Sequence, residues 1–147
     1  MGRIIGAVVA GYVVMFVTVF LLMTAAWLVM GADGAFEAGS WQITFAWIAV
    51  SIVVSLAAAF AGGRACSAIA RDPRGPTYLM GLVFVLGVVF AIPVLTAAPD
   101  AMAALGPRPD ELPMMDAMTK AQQPAWTALL NPVLGVAGVW LGARKPA

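Results

Sequence analysis

Four uninterrupted stretches without a charged residue, Ile4–Ala32, Ala38–Gly63, Gly75–Pro99 and Ala121–Ala143, constrain this chain more than any motif in it. An α-helix rises about 1.5 Å per residue, so about 20 apolar residues cross a hydrocarbon core of about 30 Å, and each stretch exceeds that length. A soluble fold of 147 residues has too little interior to hide a sequence that is 63% hydrophobic and only 10% charged, when an average soluble domain is roughly 25% charged. The bilayer offers no water to unpaired amides, so a spanning segment is a helix or part of a closed barrel. The alternating segments of about ten residues that build barrels are missing here. The expected fold is an all-α membrane domain over residues 1–147, a bundle of four transmembrane helices at about 4–30, 41–63, 77–97 and 124–142.

The connections expected from these limits are two outer loops, 31–40 and 98–123, and one cytoplasmic loop, 64–76. Helix 2 should continue through "RACSAIAR" until "DPRGP" stops it, because Pro and Gly prolong a helix poorly. Pro124 suits the first turn of helix 4. The first stretch follows an arginine, as a secretory signal does, but its apolar run is far longer than the 7–15 residues typical of a cleavable h-region. It is expected to stay attached as the first span.

Orientation follows from the basic residues, which cytoplasmic loops retain. Arg3, Arg64, Arg71, Arg74, Arg144 and Lys145 fall on one side of the four spans, and Arg108 and Lys120 on the other. Asp33, Glu37, Asp100, Asp110, Glu111 and Asp116 divide the opposite way, with Asp72 alone among the basic group. Both termini are therefore expected in the cytoplasm. Trp27, Trp41 and Trp126 at the outer boundary, and Tyr78 and Trp140 at the inner one, fit rings seated among headgroups. The Ala/Gly/Val-rich composition and the preference for Arg over Lys point to a bacterial inner membrane.

Several function classes lose their chemistry at once. The chain has no histidine and a single cysteine, Cys66, which removes the usual ligands of haem, copper and zinc, the usual proton shuttle and any internal disulfide. No cofactor and no metal are expected. The spans hold no acidic or basic residue, whereas coupled transport normally relies on one. Small multidrug transporters and fluoride channels share this size and span number, but the buried glutamate of the first and the G-A-x-x-R motif of the second are absent. Asp100, Asp110, Glu111 and Asp116 are the outer acids from which a membrane enzyme would need to draw. Without a nucleophile or a histidine beside them they read as solvated loop charges.

Three sets of residues remain as candidates. Ser51, Ser55, Ala59 and Gly63 form a small-residue stripe on helix 2, and Gly135, Gly138 and Gly142 one on helix 4, with Gly2, Gly6 and Ala10 offering a similar face on helix 1. Such stripes let backbones approach closely, either inside one bundle or against a partner. Polar and kinking residues gather in the outer half: Gln42, Thr44, Pro93, Thr96, Thr127, Asn131 and Pro132. Pro93 and Pro132 each free a carbonyl and tend to kink a helix, which predicts an outward vestibule between helices 3 and 4. Finally, Asp110 can cap a short amphipathic interfacial helix over about 111–123, with Met114, Met115, Met118 and Ala121 on one apolar side as a lid. Methionines at this spacing also suit Cu(I), though with no His or Cys beside them a hydrophobic contact face is the favoured reading.

The cytoplasmic "GGRACSAIARDPRG" carries arginines that attract anionic headgroups and a juxtamembrane cysteine of the kind that can be palmitoylated; ordinary topology determinants also account for the arginines. The function expected is a non-catalytic accessory subunit or self-associating scaffold. The alternative is an oligomeric channel or transporter for a neutral, lipidic or weakly polar solute, with its vestibule near Asn131. The partners expected are the bilayer and either further copies or a larger membrane complex, and not nucleic acid.

Overall fold

The structure is a computed structural model that describes residues 1–97, 105–110 and 113–144. Asp100, Glu111 and Lys145, together with the start of the expected 111–123 helix, lie outside the described residues. Five helices are described: α1 (Gly2–Ala35), α2 (Phe45–Ala70), α3 (Arg74–Thr96), α4 (Met114–Lys120) and α5 (Ala125–Ala143). All but α4 are long and apolar enough to cross a membrane, so the chain is a multi-pass membrane protein.

Local chemistry sets each boundary. Helix α1 is broken at Gly31, one residue past its expected end, where a φ of 63° and a ψ of −173° leave the helical region, and a further short turn then runs to Ala35. That combination of positive φ with ψ near 180° is open without strain to glycine alone. Helix α2 begins at Phe45, four residues later than Trp41. The cause is Thr44, whose hydroxyl accepts from the Trp47 amide at 3.1 Å and donates to the Gly34 carbonyl at 2.6 Å; an N-cap of this kind fixes where a helix starts. At its other end α2 runs on to Ala70 and stops at Arg71 in the left-handed region, with φ 52°. The Asp72 carboxylate then accepts from the Arg74 amide at 2.8 Å, and α3 starts three residues ahead of its expected limit, with Pro76 in its first turns.

The four long helices are arranged in the cyclic order α1, α2, α5, α3, with α2 also touching α3 across the middle. The core is built from small residues: Ala7, Ala59, Cys66, Ala70, Leu79 and Val139 are buried together. Glycines set the crossings. A Cβ on Gly11 would lie 2.8 Å from Cys66 Cβ and 2.9 Å from the Gly62 carbonyl, which makes this the α1–α2 contact. Gly2 and Gly6 have nothing within 4 Å, so the helix 1 face expected from them is not the one that packs. Between α2 and α5, a Cβ on Gly63 would run into the Val139 carbonyl, one on Gly138 into Ala59, and one on Gly142 into the Phe60 carbonyl. Gly135 meets Val83 of α3 at 2.5 Å by the same construction. The helix 2 and helix 4 stripes are therefore used inside this chain, where close backbone approach gains dispersion contact that lipid cannot match.

Large side chains point outward instead. Phe16 is 66% exposed, Phe20 56% and Phe90 68%. In water such a surface would aggregate, whereas in a bilayer it is the face that meets acyl chains. Hydroxyls within the spans bond to their own helix: Thr18 to Val14 O at 2.7 Å, Thr24 to Phe20 O at 2.7 Å, Ser51 to Trp47 O at 2.8 Å and Thr96 to Ile92 O at 2.8 Å. Each thus satisfies its donor locally, as the hydrocarbon demands.

Candidate functional site: a capped cavity at the loop end

Opposite the termini, the α1–α2 loop and the segment leading into α5 build a cap. Backbone pairing starts it. Phe36 bridges Ile43 in antiparallel fashion, and Gln42 bridges Gln122 in parallel fashion. Ile43 N–H donates to Gln122 O at 3.2 Å and Gln122 N–H to Trp41 O at 2.8 Å, so two segments about eighty positions apart in the chain are stitched edge to edge. Gln42, expected in the vestibule, serves this backbone join with its side chain exposed.

Aromatic rings fill the space beneath. Trp27 packs edge-on against Phe36 at 6.4 Å and against Trp47 at 6.0 Å, and Phe36 does the same with Trp41 at 6.2 Å between centroids. T-shaped contacts of this kind suit the ring quadrupoles. Trp41 is buried and donates its indole N–H to the Gly106 carbonyl at 3.0 Å. It is thus a piece of the cap's interior rather than a ring exposed to headgroups.

Arg108 is the residue that sequence reasoning missed. Counted only as a loop charge, it has a side chain just 4% exposed, and it pairs with the almost fully exposed Asp33 at 2.9 Å. Its guanidinium carbon lies 5.8 Å from the Phe36 ring centroid, its backbone N–H donates to Gly39 O at 3.4 Å, and its Nε has no partner among the described residues. One signal was present in the sequence: Arg108 stands between Pro107 and Pro109, and a residue before proline is confined to extended conformations. Such a rigid segment can hold a long side chain in place.

Helix α4 lies over this cluster, with Ala117 1% exposed against Ala35 and Phe36. It begins at Pro113 without a side-chain cap, and Asp110, the expected N-cap, is exposed and plays no such part. Asp116 in the first turn and Lys120 in the last match the helix dipole. Of the three methionines, Met114 and Met118 border a cavity below the helix, while Met115 is 69% exposed and does not line it.

That cavity has a volume of about 220 Å³. Met23 and Trp27 of α1 and Trp47 and Ser51 of α2 form its walls, Phe36 and Ile43 close one side, and Met114, Ala117 and Met118 roof it, with Ala121 and Gln123 at the rim. No titratable side chain is among the described lining residues. Ser51, expected in the packing stripe, reaches this cavity; Ser55 lies half-buried further along α2.

The expected vestibule is not assembled around it. Thr44 serves as the α2 cap. Thr127 is buried and donates to Pro124 O at 2.6 Å. Pro93, Thr96 and Asn131 are exposed on α3 and α5. Pro132 is buried where Gly87 makes room for its ring, the two approaching so closely that a Cβ on Gly87 would stand 2.9 Å from it. Helices α3 and α5 therefore meet at the depth where the prolines were expected to part them.

No family model, no curated protein and no solved structure matches the chain.

Proposed function

We propose that the protein is a non-catalytic membrane subunit held with both termini in the cytoplasm, in a bacterial inner membrane, whose recognition element is the capped cavity at its outer end. The occupant is a neutral, lipidic or weakly polar group presented near headgroup level. The observation that carries this reading is the cavity itself, walled by Trp27 and Trp47, roofed by a helix, and lined by no titratable group among the described residues. At about 220 Å³ it falls below the ~300–1,000 Å³ of a typical small-molecule site. It therefore suits one apolar segment, such as a stretch of acyl chain or a single ring, better than a whole polar metabolite. The orientation is supported by the six basic residues of the termini side against two at the cap.

The solute site moves in this reading from Asn131, which is exposed, to the space beneath Met114–Lys120. Assembly with further copies or a larger complex would use the outer faces of α1 and α3, since the glycine stripes of α2 and α5 are occupied within the chain. Native mass spectrometry of the full chain with a neutral diacylglycerol tests the proposal. Retention of one molecule, abolished by Ala117→Phe, which fills the cavity from its roof, is the expected result. Equal retention by the wild type and a folded Ala117→Phe variant would remove the cavity from recognition.

A further inference from the structure

The opposite end of the bundle carries a second, larger and chemically different recess. Where the end of α2, the first turns of α3 and the end of α5 converge, a cleft of about 1130 Å³ opens. Arg64 and Arg71 line it from α2 and its cap, Arg144 from the end of α5, and Asp72 is the one acid among the described residues of its wall. The Asp72 carboxylate already accepts from the Arg74 amide at 2.8 Å. Among the described residues the sole ion pair is Arg108 with Asp33, at the other end of the molecule, so the three cleft guanidiniums have no carboxylate partner there. Like charges facing one recess repel each other, and an anion between them relieves that repulsion.

Arg144 is also held in a defined pose. Its guanidinium carbon stands 3.3 Å from the centroid of the Trp140 ring, a cation–π stack that leaves the N–H edges of the fork free. Those edges match the oxygens of a phosphate group. Below the arginines the wall turns apolar through Pro76, Met80 and Trp140. Nearby, Tyr78 and Leu141 project outward at 54% and 46% exposure. The recess thus combines cations at the helix ends with a greasy flank that faces the bilayer.

We infer that this cleft binds the phosphodiester headgroup of an anionic membrane phospholipid, with the arginines on the phosphate and an acyl chain along Met80 and Trp140. Basic pockets between transmembrane helices take lipid headgroups by this physics. A free phosphate ion shares the charge chemistry but makes no use of the apolar flank. The inference does not depend on the cavity at the cap end or on what occupies it.

Native mass spectrometry of the full chain, titrated with phosphatidylglycerol, with phosphatidylcholine and with inorganic phosphate, decides the matter. Phosphatidylglycerol should be retained about tenfold better than phosphatidylcholine. An arginine near a lipid surface contributes about fivefold, which corresponds to ~1 kcal/mol, so Arg64→Gln with Arg144→Gln should lower retention roughly twenty-fivefold. Arg74→Gln removes the same charge from the same end but outside the cleft, and should change retention less than about twofold. Equal retention of the two lipids, no effect of the double variant, or an equal loss in Arg74→Gln would each overturn the assignment. Displacement of the lipid by millimolar inorganic phosphate would do so as well, since it would show a site for the free anion.

Discussion

Replacing Gly63 and Gly6 with alanine separately isolates how much the α2–α5 contact depends on a missing methyl group. Both glycines are helical, so each substitution gains the same intrinsic propensity, about 1 kcal/mol, and that gain cancels when the two variants are compared. What remains is steric. A Cβ on Gly6 meets nothing within 4 Å, whereas one on Gly63 would strike the Val139 carbonyl and stand 2.9 Å from the Val139 Cα. Carbon atoms in contact sit about 3.5–4.0 Å apart, so the helices must separate by roughly 1 Å. Overpacking of this kind costs about 1–3 kcal/mol, which sets the expected gap between the variants near 2 kcal/mol. For a chain of this size 1 kcal/mol moves the midpoint by about 2–4 °C, so Gly63→Ala should melt about 4–8 °C below Gly6→Ala. Cys66 supplies the assay: it is the lone thiol and fully buried in the core, so a maleimide dye reports the temperature at which the bundle opens. If the two variants melt within about 1 °C of each other, the close approach of α2 and α5 is not what holds the chain together.

Two more perturbations probe the cap. Thr44→Val keeps the side-chain shape but loses both hydrogen bonds of the hydroxyl, and should cost about 1 kcal/mol and lower the Cys66 melt by about 2–4 °C, while Thr44→Ser should restore it. Asp33→Asn should loosen the cap more than Arg108→Met, because the first leaves a buried guanidinium with a weakened partner and the second removes it and releases an exposed carboxylate to water. Asp33 is almost wholly exposed, so screening limits the pair to about 1 kcal/mol; faster hydrogen exchange across residues 36–43 in Asp33→Asn than in Arg108→Met is the expected readout, and the reverse order would refute the role assigned to Arg108.

What could be read from the residues was whatever depends on length and charge. Gaps in charge revealed four spans because hydrocarbon excludes ionised groups over a fixed thickness, whatever the helices do to one another. Boundaries fared less well where a side chain, rather than the bilayer, sets them. Thr44 lies inside an uncharged run, so thickness alone placed Trp41 in the helix and concealed the cap. Packing registers were ambiguous for a different reason. Small residues four apart occur on more than one face of α1, and only the presence of Gly62 opposite selects Gly11 over Gly6. The vestibule failed because depth along a helix was legible but azimuth was not: Pro93 and Pro132 lie on helices that touch, one exposed and one buried. The cap was least visible of all. Its rings, the Gln42–Gln122 bridge and Arg108 come from segments far apart in the chain, and nothing local announces that they meet.

The join between Ile43 and Gln122 also has a mechanical consequence. Sliding α2 along α5 in the direction of their axes would shear the two hydrogen bonds that hold these segments, at 3.2 and 2.8 Å, whereas a small rotation about the join leaves both intact. The cap therefore fixes how far α2 and α5 slide past each other. The far tips are tied in their turn, by the Ser67 hydroxyl donating to the Ala143 carbonyl at 3.5 Å and by Gly142 seated against the Phe60 carbonyl, close to where Arg64 and Arg144 line the cleft. The bundle is thus pinned at both ends, and the spacing of its distant arginines is set by the register that the stitched end fixes.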